Sequence, residues 1–320
     1  MSSPNPEVPG TRYNVLDPAP HTLYECRTAE EFRTRFEATA GCPVQQVTDD
    51  LIQSTTPKAI FSVGSIPLGM GTRGSDVDVI VLVDSKEALE SGNGIAANNS
   101  QRAAFVNESD ALVAGSFMQL CEGVLVDVQV AITPAIRDVY ARLRRRSPEL
   151  SETEVRILGR LKTGWLLWET EGYLERNSIN WNDQALPIYC CTRNFVTALT
   201  HQRKAAKALE LHDVTLALQL GRACTEMAYL AYFASEGLVY LGVKWLAQLG
   251  FARGAQERLE RHPLLKQNLH LLFPIFESSE KDAAGYLRDV GEFLSSIRGL
   301  IEEQVLFRIA FKACVQIALA

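Results

Sequence analysis

Two aspartates, Asp76 and Asp78, stand one residue apart at the mouth of the apolar run VIVLV, directly after a loop, GSIPLGMGTRG, that holds four glycines. On a strand, side chains two apart share a face, so both carboxylates point the same way while Val77 and Val79 turn inward. Like charges held that close raise each other's pKa unless a cation neutralises them. Mg²⁺ suits the task because it prefers carboxylate oxygens and shares its shell with substrate phosphates. Gly64 and Ser65 mark a strand-to-turn junction. Gly69, Gly71 and Gly74 let the backbone approach a ligand closely, and exposed N–H groups in such a loop suit an anion. The chemistry implied is a phosphate held between a glycine turn and a metal-binding acid pair.

A third carboxylate joins them further on. EGVLVDVQVAI alternates, with Val124, Val126, Val128 and Val130 on one face and Leu125, Asp127 and Gln129 on the other. Taken together, Gly64, Ser65, Gly69, Ser75, Asp76 and Asp78, with Asp127 on a later strand, resemble the signature of the polymerase β-like nucleotidyltransferase superfamily. The resemblance spans about residues 59–131. One departure is Leu68, where many members carry Arg or Lys before the glycine, so Arg73 is the alternative phosphate contact. Beyond Ile132 the chain is similar only in layout to small-molecule members with a helical C-terminal domain, such as the kanamycin and lincosamide nucleotidyltransferases.

The resemblance implies that Asp76, Asp78 and Asp127 hold two Mg²⁺ ions, and that Gly64 and Ser65 cradle the β- and γ-phosphates, with Ser75 and Arg73 beside the nucleotide. The implied reaction is in-line displacement at the α-phosphorus of an NTP, expected to be ATP, with NMP passing to a hydroxyl and pyrophosphate leaving. Asp127 would complete a metal site or accept the acceptor's proton. The expected acceptor is a small molecule, antibiotic modification being the familiar precedent. Transfer onto tRNA or protein, cyclic or oligonucleotide synthesis, and a non-catalytic nucleotide-binding module are the alternatives.

The elements that must position these residues can be read in outline. Thr28 and Glu31 open a capping box, and TAEEFRTRFEATA carries helical spacing; TDDLIQSTTP is a second short helix closed by Pro57. AIFSVGS, DVDVIVLVD and EGVLVDVQVAI read as strands, with loop plus helix expected over SKEALESGNGIAANNSQRAAFVNESD. From about Ser147 the period becomes helical, opened by a second capping box at Ser151 and Glu154, and no further strand is expected after Ile132. The expected fold is α+β: a flexible arm over 1–21, a small mixed-sheet catalytic domain over 22–146 and an all-α domain over 147–320.

Composition sets the outer bounds. The chain has 320 residues, 47% hydrophobic and 22% charged, with a net charge of −6, which is ordinary for a globular protein and disfavours non-specific binding to nucleic acid or anionic lipid. Seven cysteines without a C-x-x-C pair read as reduced thiols. The N-terminus lacks the basic and apolar regions of a signal peptide, and the apolar segments are interrupted by charge, so a cytoplasmic location without membrane partners is expected. A homodimer remains one option. Lys244 is a candidate triphosphate contact, with Trp245 or Tyr240 as a stacking surface, although a snorkelling lysine beside a core tryptophan explains them somewhat more simply. The run Arg142, Arg144, Arg145 and Arg146 reads more simply as a solvated helix end than as a phosphate site. Arg203, Lys204 and Lys207 likewise read as a solvated face, and Trp165, Trp168 and Tyr173 as core packing at helical spacing. The five histidines show no metal-ligand spacing.

Overall fold

The computed structural model describes residues 28–68, 71, 75–86, 104–105, 112–121, 123–145, 149–177, 183–239, 246, 263–273 and 279–303. The expected N-terminal arm, Gly69, Arg73, Gly74, Arg146, Tyr240, Lys244 and Trp245 lie outside these residues. The fold is α+β, and the chain divides into two compact units, Met1–Asp183 and Gln184–Ala320.

In the first unit, α1 (Ala29–Ala40) begins where Thr28 Oγ1 accepts a hydrogen bond from the Glu31 N–H at 3.1 Å. It ends at Gly41, whose φ of 80° gives the left-handed turn that closes many helices. α2 (Val44–Thr55) starts four residues ahead of the expected Thr48. Val44, Val47 and Leu51 recur at helical spacing and are all buried, so the missed turn is anchored by its own apolar face. Phe32, Phe36, Val47 and Leu51 pack on a sheet face made of Ile60, Val77, Val79, Val81, Val126, Val128 and Val130.

The sheet is mixed and has six strands in the order β3-β4-β5-β2-β1-β6. They are β1 (Ala59–Val63), β2 (Val77–Val83), β3 (Ala104–Phe105), β4 (Val113–Cys121), β5 (Val124–Ile132) and β6 (Trp165–Glu169). β2 and β5 pair in parallel at its centre, while β1 with β2, β4 with β5 and β1 with β6 pair antiparallel. β4 and β5 form a hairpin that turns at Gly123, where φ is 85°. α3 (Thr133–Leu143) and α4 (Glu152–Thr163) follow β5.

Two expectations are corrected here. A strand does follow Ile132: α4 stops before Gly164, and Trp165–Glu169 pairs with β1 instead of continuing the helix. A Cβ at Gly164 would lie 2.9 Å from the Arg160 carbonyl and 3.0 Å from that of Ser62, so the chain turns there against β1 with no room to spare. Trp165 thereby stacks on Phe32, ring centroids 5.0 Å apart, rather than lying on a helix face with Trp168. Consequently the boundary expected at 146/147 falls instead between Asp183 and Gln184, because α4 and β6 belong to the sheet unit. A short apolar run fits strand or helix equally well, and only the distant β1 edge decides between them.

The elements described in the second unit are all helical: α6 (Ala185–Glu210), α7 (Val214–Ser235), α8 (Pro263–Asn268), a 3₁₀ turn (Leu269–Leu272) and α9 (Glu280–Glu303). α5 (Tyr173–Arg176) is the last short helix before them. α7 and α9 meet closely at Gly221, where a Cβ would come within 2.7 Å of Leu287. Tyr229 and Phe293 pack nearby with ring centroids 4.8 Å apart. Among the described residues, no helix is long and apolar enough to cross a membrane.

Local capping holds α4 in place. Ser151 Oγ accepts from the Glu154 N–H at 3.1 Å, and Glu154 Oε2 accepts from the Ser151 N–H at 2.7 Å. Ser151→Ala is expected to cost about 1 kcal/mol of stability, read as a lower urea midpoint with an unchanged slope.

Candidate active site

The parallel pairing of β2 with β5 sets the site. Register places Asp78 directly beside Asp127, with Val77 beside Val126 and Val79 beside Val128. In a parallel pair such partners point to the same face, and here the valines enter the core while both aspartates face away from it. Asp76 lies two residues from Asp78, just ahead of β2, and is exposed. On the other flank, β1 pairs antiparallel with β2 so that Val63 meets Asp78. Gly64 follows at once with φ 76°, and a Cβ built there would fall 2.2 Å from Asp78 Oδ2. Only glycine lets the backbone turn there while the carboxylate stays in place.

The glycine turn is compact. The Gly71 N–H donates to the Ser65 carbonyl at 3.1 Å, and Ser65 is buried. Ile66 and Leu68 are buried too, so Leu68, where a basic residue was the family expectation, is an anchor of the loop. A Cβ on Gly71 would meet Thr39 Cγ2 at 2.9 Å, which ties the turn to α1. Ser75 sits between this turn and Asp76 and is half-buried.

Cations face the acids from α4, and the sequence reading had not singled them out. Arg160 Nη1 lies 3.5 Å from Asp78 Oδ1 and donates to Gln129 Oε1 at 3.3 Å. Burial raises the Asp127 carboxyl above its ordinary range; the Arg160 charge opposes this, Asp76 adds to it, and Arg156 opposes it again. The Arg156 Nε is buried without a hydrogen-bond partner. Arg156 and Arg160 are four apart on α4, a spacing that puts them on one helix face. That spacing was legible, but nothing in it names the strands it would meet.

Asp78 and Asp127, side by side on one sheet face, are hard oxygen donors of the kind a divalent cation takes. Among the described residues, however, no three His, Cys, Asp or Glu side chains are grouped closely enough to hold a metal ion. Asp78 and Asp127 are adjacent, Asp76 is near enough for its charge to act on Asp127, and the cation touching Asp78 is Arg160.

Other basic residues have internal partners. Arg142 pairs with Glu154 and donates to the Glu149 carbonyl at 3.2 Å, while Arg144 pairs with Asp183 at 2.8 Å. By contrast, Arg203, Lys204 and Lys207 lie on α6, and all three are exposed.

No family model matches the chain, and no curated protein matches it. Among solved structures, a nucleotidyltransferase-like protein from Exiguobacterium sibiricum 255-15 is similar over 82% of this chain and 80% of its own, at 10% identity and a TM-score of 0.42. A likeness that loose carries no argument about function.

Two outcomes follow from the geometry. Gly64→Ala should destabilise the protein by at least about 1 kcal/mol, since it adds a left-handed penalty to a clash with Asp78; chemical unfolding measures it. Asp127→Asn should raise the thermal midpoint at neutral pH. A carboxyl raised in the folded state costs stability once ionised, and that cost disappears as pH falls through its folded value. The variant's advantage should therefore shrink towards zero in melts taken down to acidic pH.

Proposed function

We propose that this chain is a nucleotidyltransferase of the polymerase β-like kind, transferring NMP, with ATP as the expected donor, to a hydroxyl of a small-molecule acceptor. The observation carrying this reading is the in-register Asp78–Asp127 pair beside a turn at Gly64 where no side chain would fit. Acids side by side at the end of a sheet, next to a glycine-lined bend, form the arrangement that phosphoryl chemistry needs: negative ligands for a cation and backbone N–H groups for an anion.

Asp76, Asp78 and Asp127 would hold divalent Mg²⁺, which when bound offsets the charge of the phosphates. The residues of the chain do the rest. The turn at Gly64 and Ser65 grips the leaving polyphosphate. The acceptor oxygen forms its new bond to the α-phosphorus as the bond to the β-phosphate oxygen breaks, and pyrophosphate departs. The hydroxyl proton passes to Asp127 acting as general base. Arg160 keeps Asp78 and Gln129 oriented.

A second reading, nucleotide binding without transfer, draws on the Arg160–Asp78 contact and on the lack of a three-residue metal grouping among the described residues. One experiment separates the two. Purified protein is incubated with Mg²⁺, each NTP and a library of hydroxylated metabolites, and mass spectrometry reads nucleotidylated products. Expected are pyrophosphate and one product class, both lowered roughly 100-fold or more by Asp78→Asn or Asp127→Asn. Mg²⁺-dependent NTP binding without pyrophosphate from any acceptor would favour the second reading.

A further inference from the structure

The acid face continues beyond Asp127 into an apolar shelf. On the β4–β5 hairpin Met118 pairs with Asp127, and Leu120 pairs with Leu125. Phe117 and Cys121 enter the core on the other face, so Met118 and Leu120 share the face of Asp127. Leu120 is 47% exposed and Leu125 43%, although an exposed cross-strand leucine pair gives up burial that either side chain would gain in a core. Single exposed leucines are ordinary; two facing each other, two residues along the strand from a half-buried carboxylate, form one contiguous surface.

Order across the sheet says what this surface meets. Register runs Met118, Asp127, Asp78, Val63, and Gly64 and Ser65 follow Val63. The phosphate-gripping turn therefore lies on one side of the two acids and the leucine shelf on the other. In-line displacement requires the incoming oxygen to approach opposite the departing pyrophosphate. With the polyphosphate at the turn, the acceptor oxygen comes in over Asp127 and the acceptor's body extends over Leu125 and Leu120.

We propose that Leu120 and Leu125, with Met118, form the acceptor subsite, and that the acceptor is a hydroxyl compound with an apolar body rather than a polycation or a nucleic acid. This rests on the nucleotidyl-transfer reading. A nucleic-acid acceptor would call for cations on the shelf, and among the described residues the side chains there are Met118, Leu120 and Leu125.

The test uses the full chain with Mg²⁺ and a non-hydrolysable ATP analogue, and compares glucose with hexyl glucoside, which adds only an alkyl chain. Ligand-observed NMR should show hexyl glucoside binding at least tenfold more tightly than glucose. Leu120→Asn/Leu125→Asn should abolish that preference and leave affinity for the ATP analogue unchanged. Both positions are half-exposed, and the single Leu125→Asn variant, expected to lose part of the preference, guards against a folding defect in the double one. Equal binding of the two sugars, or a preference that survives in both variants, overturns the subsite. So does sedimentation showing that the double variant turns a dimer into a monomer, because a second copy then covers the shelf. Pyrophosphate release with ATP is scored separately: its absence with every acceptor counts against transfer, while the alkyl preference alone decides the shelf.

Discussion

Parallel pairing of β2 with β5 places two carboxylates side by side, and the rest of the sheet unit answers to that repulsion. Register is fixed by the valines: a slip of one residue would send Val77, Val79, Val126 and Val128 away from the α1–α2 core and bury both aspartates. The hydrophobic term thus holds the acids where electrostatics alone would separate them. Burying several β-branched side chains outweighs the repulsion of two half-exposed charges in a medium that water still penetrates.

Compensation comes from α4. Arg160 bridges Asp78 and Gln129, and the charges of Arg160 and Arg156 pull the Asp127 carboxyl back towards ionisation. The helix is therefore as much a part of the site as the strands. Its capping box starts it at Ser151, and Gly164 ends it against β1, so two local signals thirteen residues apart deliver a guanidinium to the acid face. The same device leaves a question of occupancy built into the fold, because any cation drawn to Asp78 meets one already there.

Much of this was legible early because strict alternation has one reading on a half-buried strand. The period of two in VLVDVQV put Leu125, Asp127 and Gln129 together, and the structure keeps them together on the face opposite the α1–α2 core. The Thr28 and Ser151 caps were legible for a similar reason: a side chain bonding a backbone N–H three residues away is a local event. β6 was not, since GWLLWE is apolar without a decisive period and its partner strand lies about a hundred residues upstream. Neither was the start of α2, where Pro43 and a polar VQQV hid an apolar stripe.

The sequence by itself determined the chemistry available: a glycine bend, three carboxylates at strand spacing and the alternation that turns them from the core. Those are properties of neighbouring residues, and neighbours are close in any fold. Tertiary structure decided which of them meet. It set Asp78 level with Asp127 across 48 intervening positions, brought Arg160 from a helix beyond both, and left Leu120 facing Leu125 in the open, because hydrogen-bond register and helix packing join segments whose distance along the chain carries no information about their distance in space.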